Sequence, residues 1–473
     1  MPSMADVAMH FFLQMAVILG VYRLLWPVFR RLGQVQVVAI MVAGFVLGPS
    51  LLGIVAPRFQ TWLFPQKVLV GGVSVTHPSL VGIYVVGQMG LVVYMFLVGT
   101  AFKTDIFAGH LRQAAATSFA GIAAPMLLGG LVGWLMVQQG GGFFPDKVAG
   151  WQAALFVAAA IAITAFPMLA WIVYDSGLLH TRVGTMALAC AAADDACAWI
   201  LLAGVVATTK GSPTVAVLAL GGGLAYGVAM LTVGRRLLRR LGDRVDTSMA
   251  GTADSGPPTG ALIIALLVML LGAWIADLVG IYAVFGAFVA GVAMPRGRFV
   301  ELLRERLEPL TAYLLLPAFF VYSGLNTHLT LIFDPPVLLM TGLVLLVAFV
   351  GKGFSVGIAA RLQGLSPREA GSLGALMNAR GLMELILLNI GLTAGIVTPK
   401  VYTILAIMAI VTTFAATPVH RWIQARATRA GVAFGPSGEI PLSPPARANG
   451  KQPALDGTGE QPVGAALTDQ PTS

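Results

Sequence analysis

Apolar runs long enough to cross a bilayer recur along nearly the whole sequence, and that recurrence excludes most folds open to a chain of 473 residues. A hydrocarbon core of ~30 Å takes about 20 apolar residues to cross as a helix. Such runs lie near residues 9–27, 36–53, 80–100, 114–137, 152–173, 184–208, 214–234, 259–279, 280–295, 311–331, 337–360, 370–392 and 400–420, about thirteen in all. Composition agrees: 57% of residues are hydrophobic and 10% charged, too few charges to cover a soluble domain. The expected fold is an all-α polytopic membrane protein.

A net charge of +9 could suggest nucleic acid, but in a membrane protein basic excess marks cytoplasmic loops. With the N-terminus outside, the odd-numbered loops are cytoplasmic. They hold most of the basic residues, from Arg30 and Arg31 through Arg235, Arg236, Arg239 and Arg240 to Arg361 and Arg368. The even loops hold only Arg58, Lys67, Lys147, Lys210 and Lys400. The C-terminus then lies in the cytoplasm, and the cytoplasmic (plasma) membrane is the expected location, with lipid and not nucleic acid as surroundings. The first run lacks a basic n-region and reads as a retained helix, not a signal peptide.

Residues 241–259 (LGDRVDTSMAGTADSGPPT) read as a polar loop between two halves, and residues 294–310 as a cytoplasmic amphipathic helix. The transmembrane domain is expected over 1–430. Residues 431–473, rich in Pro, Gly and Ala without apolar periodicity, read as a disordered cytoplasmic tail. Cys190 and Cys197 share one helix at a separation of ~10 Å, too far for a disulfide, and read as packing residues. No cofactor is expected.

Of the Lys, Arg, Asp and Glu residues, five remain well inside the runs: Asp194, Asp195, Lys352, Arg380 and Glu384. One charged side chain at the bilayer centre costs ~2.5–3.5 kcal/mol on insertion scales, so intramembrane charges mark ion or proton pathways by default. Asp194 lies roughly 18 Å along a helix from Arg182, and Lys352 roughly 13 Å from Arg361, which puts both near mid-bilayer. Adjacent helical residues point about 100° apart, so one aspartate can face Lys352 while the other faces a cavity. The second carboxylate can exchange a proton for a metal cation, because both compete for the same negative charge. Two runs also carry interruptions. AIAITAFPMLAWIV (160–173) places Thr164 and Pro167 inside a span, and LMNARGLMELILLNIGL (376–392) places Asn378 and Gly381 inside another. Interrupted helices in corresponding parts of two halves point to an inverted-repeat transporter.

Several stretches, in this order and spacing, resemble the monovalent cation:proton antiporters, especially the Kef-type and plant cation/proton exchanger branch. They are VAGFVLGPSLLG (42–53), ITAFPMLAWIV (163–173), AAADDACAWILLA (191–203), LPAFFVYSGLNT (316–327), GKG (351–353) and MNARGLMELILLNIG (377–391). The resemblance covers about residues 10–425 and implies a sodium/proton-antiporter fold. That fold has a dimerisation domain, hence a homodimer, and a mobile core with two broken, crossing helices. It also implies site roles: Asp195 as the cation- and proton-binding carboxylate, Thr164 beside the ion, and Asp194 as the neighbour that pairs with Lys352 in electrogenic members. Arg380 and Glu384 match the polar pair on the second broken helix and, with Asn378, are expected to support the core. The family often has glutamate where this chain has Ile40 and arginine where it has Trp171. No nucleotide-binding domain is appended here, so regulation by nucleotide or glutathione is not expected.

The expected function is secondary active transport, Na+ or K+ exchanged for protons by alternating access, and by the family resemblance two adjacent aspartates imply electrogenic exchange. The alternative is sodium-coupled symport of a small organic anion, against which the negative core site argues. An intramembrane enzyme fits less well. A DDxxD diphosphate site would need a further acid where ACAW follows Asp195, and an aspartyl protease would need its acids on different helices.

Overall fold

The structure is a computed structural model that describes residues 3–429 apart from 33, 35, 71–72, 102–110, 177, 179–180, 211–212, 250–258 and 281. The first two apolar runs form α1 (Met4–Arg31) and α2 (Gln36–Leu47). Two short helices, α3 (Leu52–Val55) and α4 (Pro57–Leu63), follow, and then strands β1 (Lys67–Val70) and β2 (Val73–Thr76). Next come α5 (Pro78–Ala101), α6 (Leu111–Gln139), the pair α7 (Gly150–Ala162) and α8 (Phe166–Asp175), α9 (Arg182–Lys210) and α10 (Pro213–Ala229). A π-helical turn at Met230–Gly234 joins α10 to α11 (Arg235–Met249).

The second half opens with α12 (Thr259–Val279), α13 (Ala283–Ala293) and α14 (Arg298–Leu310), and a π turn leads into α15 (Leu316–Leu325). Then α16 (Pro335–Ala348) passes through a π-helical segment, Phe349–Phe354, into α17 (Ser355–Leu362). The pair α18 (Pro367–Leu376) and α19 (Leu382–Thr393) precedes α20 (Pro399–Arg429). Each apolar run read from the sequence is therefore a helix, or two helices end to end. Among the described residues, seven helices are long and apolar enough to cross a membrane.

Two local differences from the sequence reading have physical causes. Residues 67–76 form an antiparallel hairpin, with Lys67 opposite Thr76 and Val70 opposite Val73, where only a loop was expected. Its alternating valines suit a strand, but four residues per strand give too short a periodicity to stand out. Residues 241–249, read as part of a polar loop, continue α11 instead. Leu238, Gly242 and Val245 recur at helical spacing, all buried, and Gly242 packs on Pro295, while the arginines take the outer face. The remainder of that loop, 250–258, and the tail from 431 lie outside the described residues. The amphipathic helix expected over 294–310 is α14, which buries Phe299, Val300 and Leu303.

The helices pack in two groups. One joins α1 to α2, α2 to α15, and α5 to α12, α13 and α15. The other joins α6 to α7, α9 and α17, and α18 and α16 to α20; α10 lies between them, touching α9 and α12. Inside the first group the helices approach closely at glycines. A Cβ on Gly44 would lie 2.4 Å from the Phe320 carbonyl oxygen, and one on Gly324 only 2.2 Å from the Gly44 carbonyl carbon. Lipid offers no hydrophobic drive for helix association, so such close packing supplies the attraction. Gly324→Leu should therefore pry α2 from α15, at or above the ~3 kcal/mol upper end typical of overpacked cores. The expected outcome is a lower melting temperature and less monodisperse protein in detergent. Gly20→Ala, where nothing lies within 4 Å of the new Cβ, should leave both unchanged.

Candidate functional site

The two helix pairs are interrupted at 163–165 and 377–381, and these unwound stretches meet. Pro167, in the first turn of α8, has no N–H to carry a helical ladder back across the first gap. At the second gap Gly381 stands as the N-cap of α19. The Ala165 amide donates to the Ala379 carbonyl at 3.3 Å, and the Thr164 hydroxyl oxygen lies 3.2 Å from the Met377 carbonyl oxygen. Thr413 of α20 braces the second stretch from behind. Its hydroxyl accepts from the Arg380 amide at 2.9 Å and donates to the Arg380 carbonyl at 2.8 Å.

An interrupted helix exposes the carbonyls of its last turn, and inside a membrane these need donors from the protein. Arg380 supplies them for α7: Nη1 donates to Ala160 O at 2.8 Å and Ile163 O at 3.3 Å, and Nη2 to Ile161 O at 2.5 Å. The Lys352 ammonium, from the π segment, donates to Ala162 O. Two cations thus sit at the negative end of the α7 dipole, the favourable sign there. Both side chains are fully buried.

Lys352 also pairs with Asp194, its Nζ lying 2.9 Å from Oδ2. Thr164 donates to the same oxygen at 2.8 Å, and Ser118 of α6 donates to Oδ1 at 2.5 Å. Three elements besides α9 therefore converge on one carboxylate, and all three donors are buried. Asp195, the next residue on α9, is likewise buried. The helical turn between them points its side chain about 100° from that of Asp194. Thr164, Arg380, Asn378 and Glu384 belong to the two crossing gaps or the helices flanking them, and Lys352 reaches the crossing from the π segment. Asn378 is buried, with Nδ2 donating to Gly374 O at 3.0 Å and Oδ1 accepting nothing among the described residues. Glu384 lies in the first turn of α19, with Oε2 at 3.9 Å from Arg380 Nη1.

The Asp194 and Asp195 carboxylates, the Thr164 hydroxyl and the Asn378 amide are all buried oxygen-bearing groups, the ligand type a hard cation takes. Among the described residues, no group of three or more His, Cys, Asp or Glu is arranged to hold a metal ion. Two members of the site were invisible in the sequence. Ser118 and Thr413 are small hydroxyl residues in apolar runs, a pattern shared by ordinary packing positions. Ile40 is buried on α2, and the Trp171 side chain lies outside those described.

The chain matches the family model described as sodium/hydrogen exchanger, transmembrane, over residues 16–424. It is 36% identical over 414 residues to the Na(+)/H(+) antiporter NhaS4 of Synechocystis, covering 85% of this chain and 94% of that protein. It is 29% identical over 458 residues to the K(+)/H(+) antiporter 1 of Saccharomyces cerevisiae. That alignment takes in 95% of this chain but spans only 50% of the yeast protein. The fold is similar to that of the sodium proton antiporter MjNhaP1 from Methanocaldococcus jannaschii, with a TM-score of 0.57 at 13% identity, covering 91% of this chain and all of that one.

Removing one partner of a buried ion pair leaves the other uncompensated, at a cost of about 3–5 kcal/mol. Lys352→Met should accordingly lower the melting temperature of the purified protein strongly. The double variant Asp194→Asn with Lys352→Met should recover most of that loss, since neither charge is then stranded. A double variant no more stable than Lys352→Met would show that the two side chains are not energetically coupled.

Proposed function

The chain belongs to the transmembrane sodium/hydrogen exchanger family, and from that premise we propose that it exchanges a monovalent cation, Na+ or K+, for protons by alternating access. The observation that carries this reading is the Asp194–Lys352 pair at the crossing of two interrupted helices, beside a second buried acid. Asp194 already accepts from three donors. Exchange therefore falls to Asp195, whose carboxylate holds either a proton or the cation. Thr164, with its hydroxyl at the crossing, completes the polar surroundings of the ion together with Asn378. Arg380 holds the end of α7 in place.

Movement follows from how the helices group. The group with α6, α7, α9 and α16–α20 carries the site, and the group with α1, α2, α5, α12, α13 and α15 carries none of its residues. Shifting the first against the second would expose the site to alternate sides while the crossing keeps its internal bonds. The second group offers the surface for a homodimer, lipid surrounds the whole, and the transmembrane domain runs over 1–430. The distribution of basic residues among the loops supports an N-terminus outside and a C-terminus in the cytoplasm, in the plasma membrane. Nothing in this scheme makes or breaks a covalent bond, so the protein acts as a transporter and not as an enzyme. Pairing of Asp194 with Lys352 keeps those two charges constant through the cycle, so Asp195 by itself trades one cation for one proton, and electrogenic exchange requires a second proton-binding group.

Proteoliposomes with imposed Na+, K+ or Li+ gradients and a clamped membrane potential test this. The wild type should move protons against at least one of these cations, at a rate that depends on the potential. Asp195→Asn should abolish exchange while the protein still folds. Wild-type exchange in the Asp195→Asn variant would remove Asp195 from the site.

A further inference from the structure

Asp194 and Glu384, two acids of the buried set, are bonded in opposite ways. Asp194 accepts three hydrogen bonds. Glu384 is fully buried, yet neither of its carboxylate oxygens accepts a hydrogen bond among the described residues. Its nearest cation, Arg380 Nη1, is 3.9 Å away and beyond hydrogen-bond reach. That nitrogen donates instead to Ala160 O and Ile163 O, while Nη2 donates to Ile161 O. The guanidinium is thus committed to the end of α7, and Glu384 receives only its distant field.

A structural counter-charge inside a membrane is expected to be fully bonded, since a half-satisfied buried ion is costly. Glu384 does not fit that description, and it sits where a change of charge would matter. It lies three residues after Gly381, in the first turn of α19, where the unpaired amides of the helix create a positive potential. The elements packed most extensively on α19 are α7, α9 and α20, and α15 touches it through Ser323, which accepts from Asn389. Of the ionisable groups of α7, α9 and α20 within the apolar runs, α9 carries Asp194, Asp195, Cys190 and Cys197, α20 carries Lys400, Tyr402 and His420, and α7 carries none. Lys352 and Arg380 supply the positive charge at the crossing.

We propose that Glu384 is a second proton-binding carboxylate of the exchange cycle. This rests on the reading of Asp195 given above and deepens it. With the cation bound, both Asp195 and Glu384 are carboxylates; on the return both are carboxylic acids, each having taken one proton from solution. Three acids and two bases then sum with one monovalent cation to zero charge, and with two protons to one positive charge. One cation therefore exchanges for two protons, and one net charge crosses per cycle.

The purified protein in weakly buffered detergent with a pH indicator gives a direct count. Saturating Na+ or K+, whichever the wild type transports, should release two protons per chain from the wild type and one from Glu384→Gln. Asp195→Asn should release none. Two protons from Glu384→Gln, with one from Lys352→Met, would move the second proton to Lys352 and overturn the proposal. A single proton from the wild type would overturn it equally. Release undiminished in Asp195→Asn would instead refute the assignment of Asp195, and this inference with it. Should Glu384→Gln fail to fold, Glu384→Asp should still release two protons, the second at a shifted pH; an unshifted second step counts against the proposal.

Discussion

The carbonyls at the broken end of α7 are the constraint on which the rest of the site depends. A helix that stops inside a membrane leaves backbone acceptors with no water to satisfy them, and each would cost several kcal/mol if left bare. Here the donors are Arg380 and Lys352, two cations brought from sequence positions far from α7. Burying those cations then demands acids, and Asp194 answers Lys352 directly. The order of dependence runs from broken backbone to cation to carboxylate. Charge in this membrane interior is first a solution to a hydrogen-bonding problem, and transport chemistry is built on top of it.

Much of this was legible in the sequence because lipid makes polar exceptions conspicuous. Every apolar run became a helix or a broken pair, and the five charges left inside the runs all lie at or beside one crossing. That one of the two aspartates could face Lys352 could be anticipated from depth and helical phase; that it is Asp194 followed only from the family resemblance. The partners of Arg380 could not, because they are main-chain carbonyls and no side chain announces them. Ser118 and Thr413 escaped for a related reason: a hydroxyl in an alanine-rich run looks the same whether it serves a site or fills a gap. The hairpin at 67–76 and the length of α11 were missed because short periodicities are masked by charged or glycine-containing surroundings.

The polar contacts within the crossing differ in kind from those that hold the first helix group together. Gly44 and Gly324 fit backbone against backbone with no room for a methyl group, a contact that admits one geometry. The crossing instead relies on long side chains, Lys352 and Arg380, which reach several acceptors at once. A frame of rigid contacts beside a site of adjustable ones is a physically sensible division for a protein whose substrate must enter and leave.

The π-helical segment Phe349–Phe354 holds Lys352. A π turn accommodates one residue more than an α turn, so it offsets the helical phase on its two sides by about 100°. Because of that offset α16 can keep a face on α20, and α17 a face on α18, while the lysine between them turns toward α7. Chain length is therefore as constrained as residue identity in this stretch. Loss of one residue would restore an unbroken α-helix and rotate one flank out of register with its neighbours, whatever side chains remained. Over evolutionary drift, insertions and deletions are tolerable in the loops of this molecule, but here a single-residue change in length would disconnect the ammonium group from its acceptors.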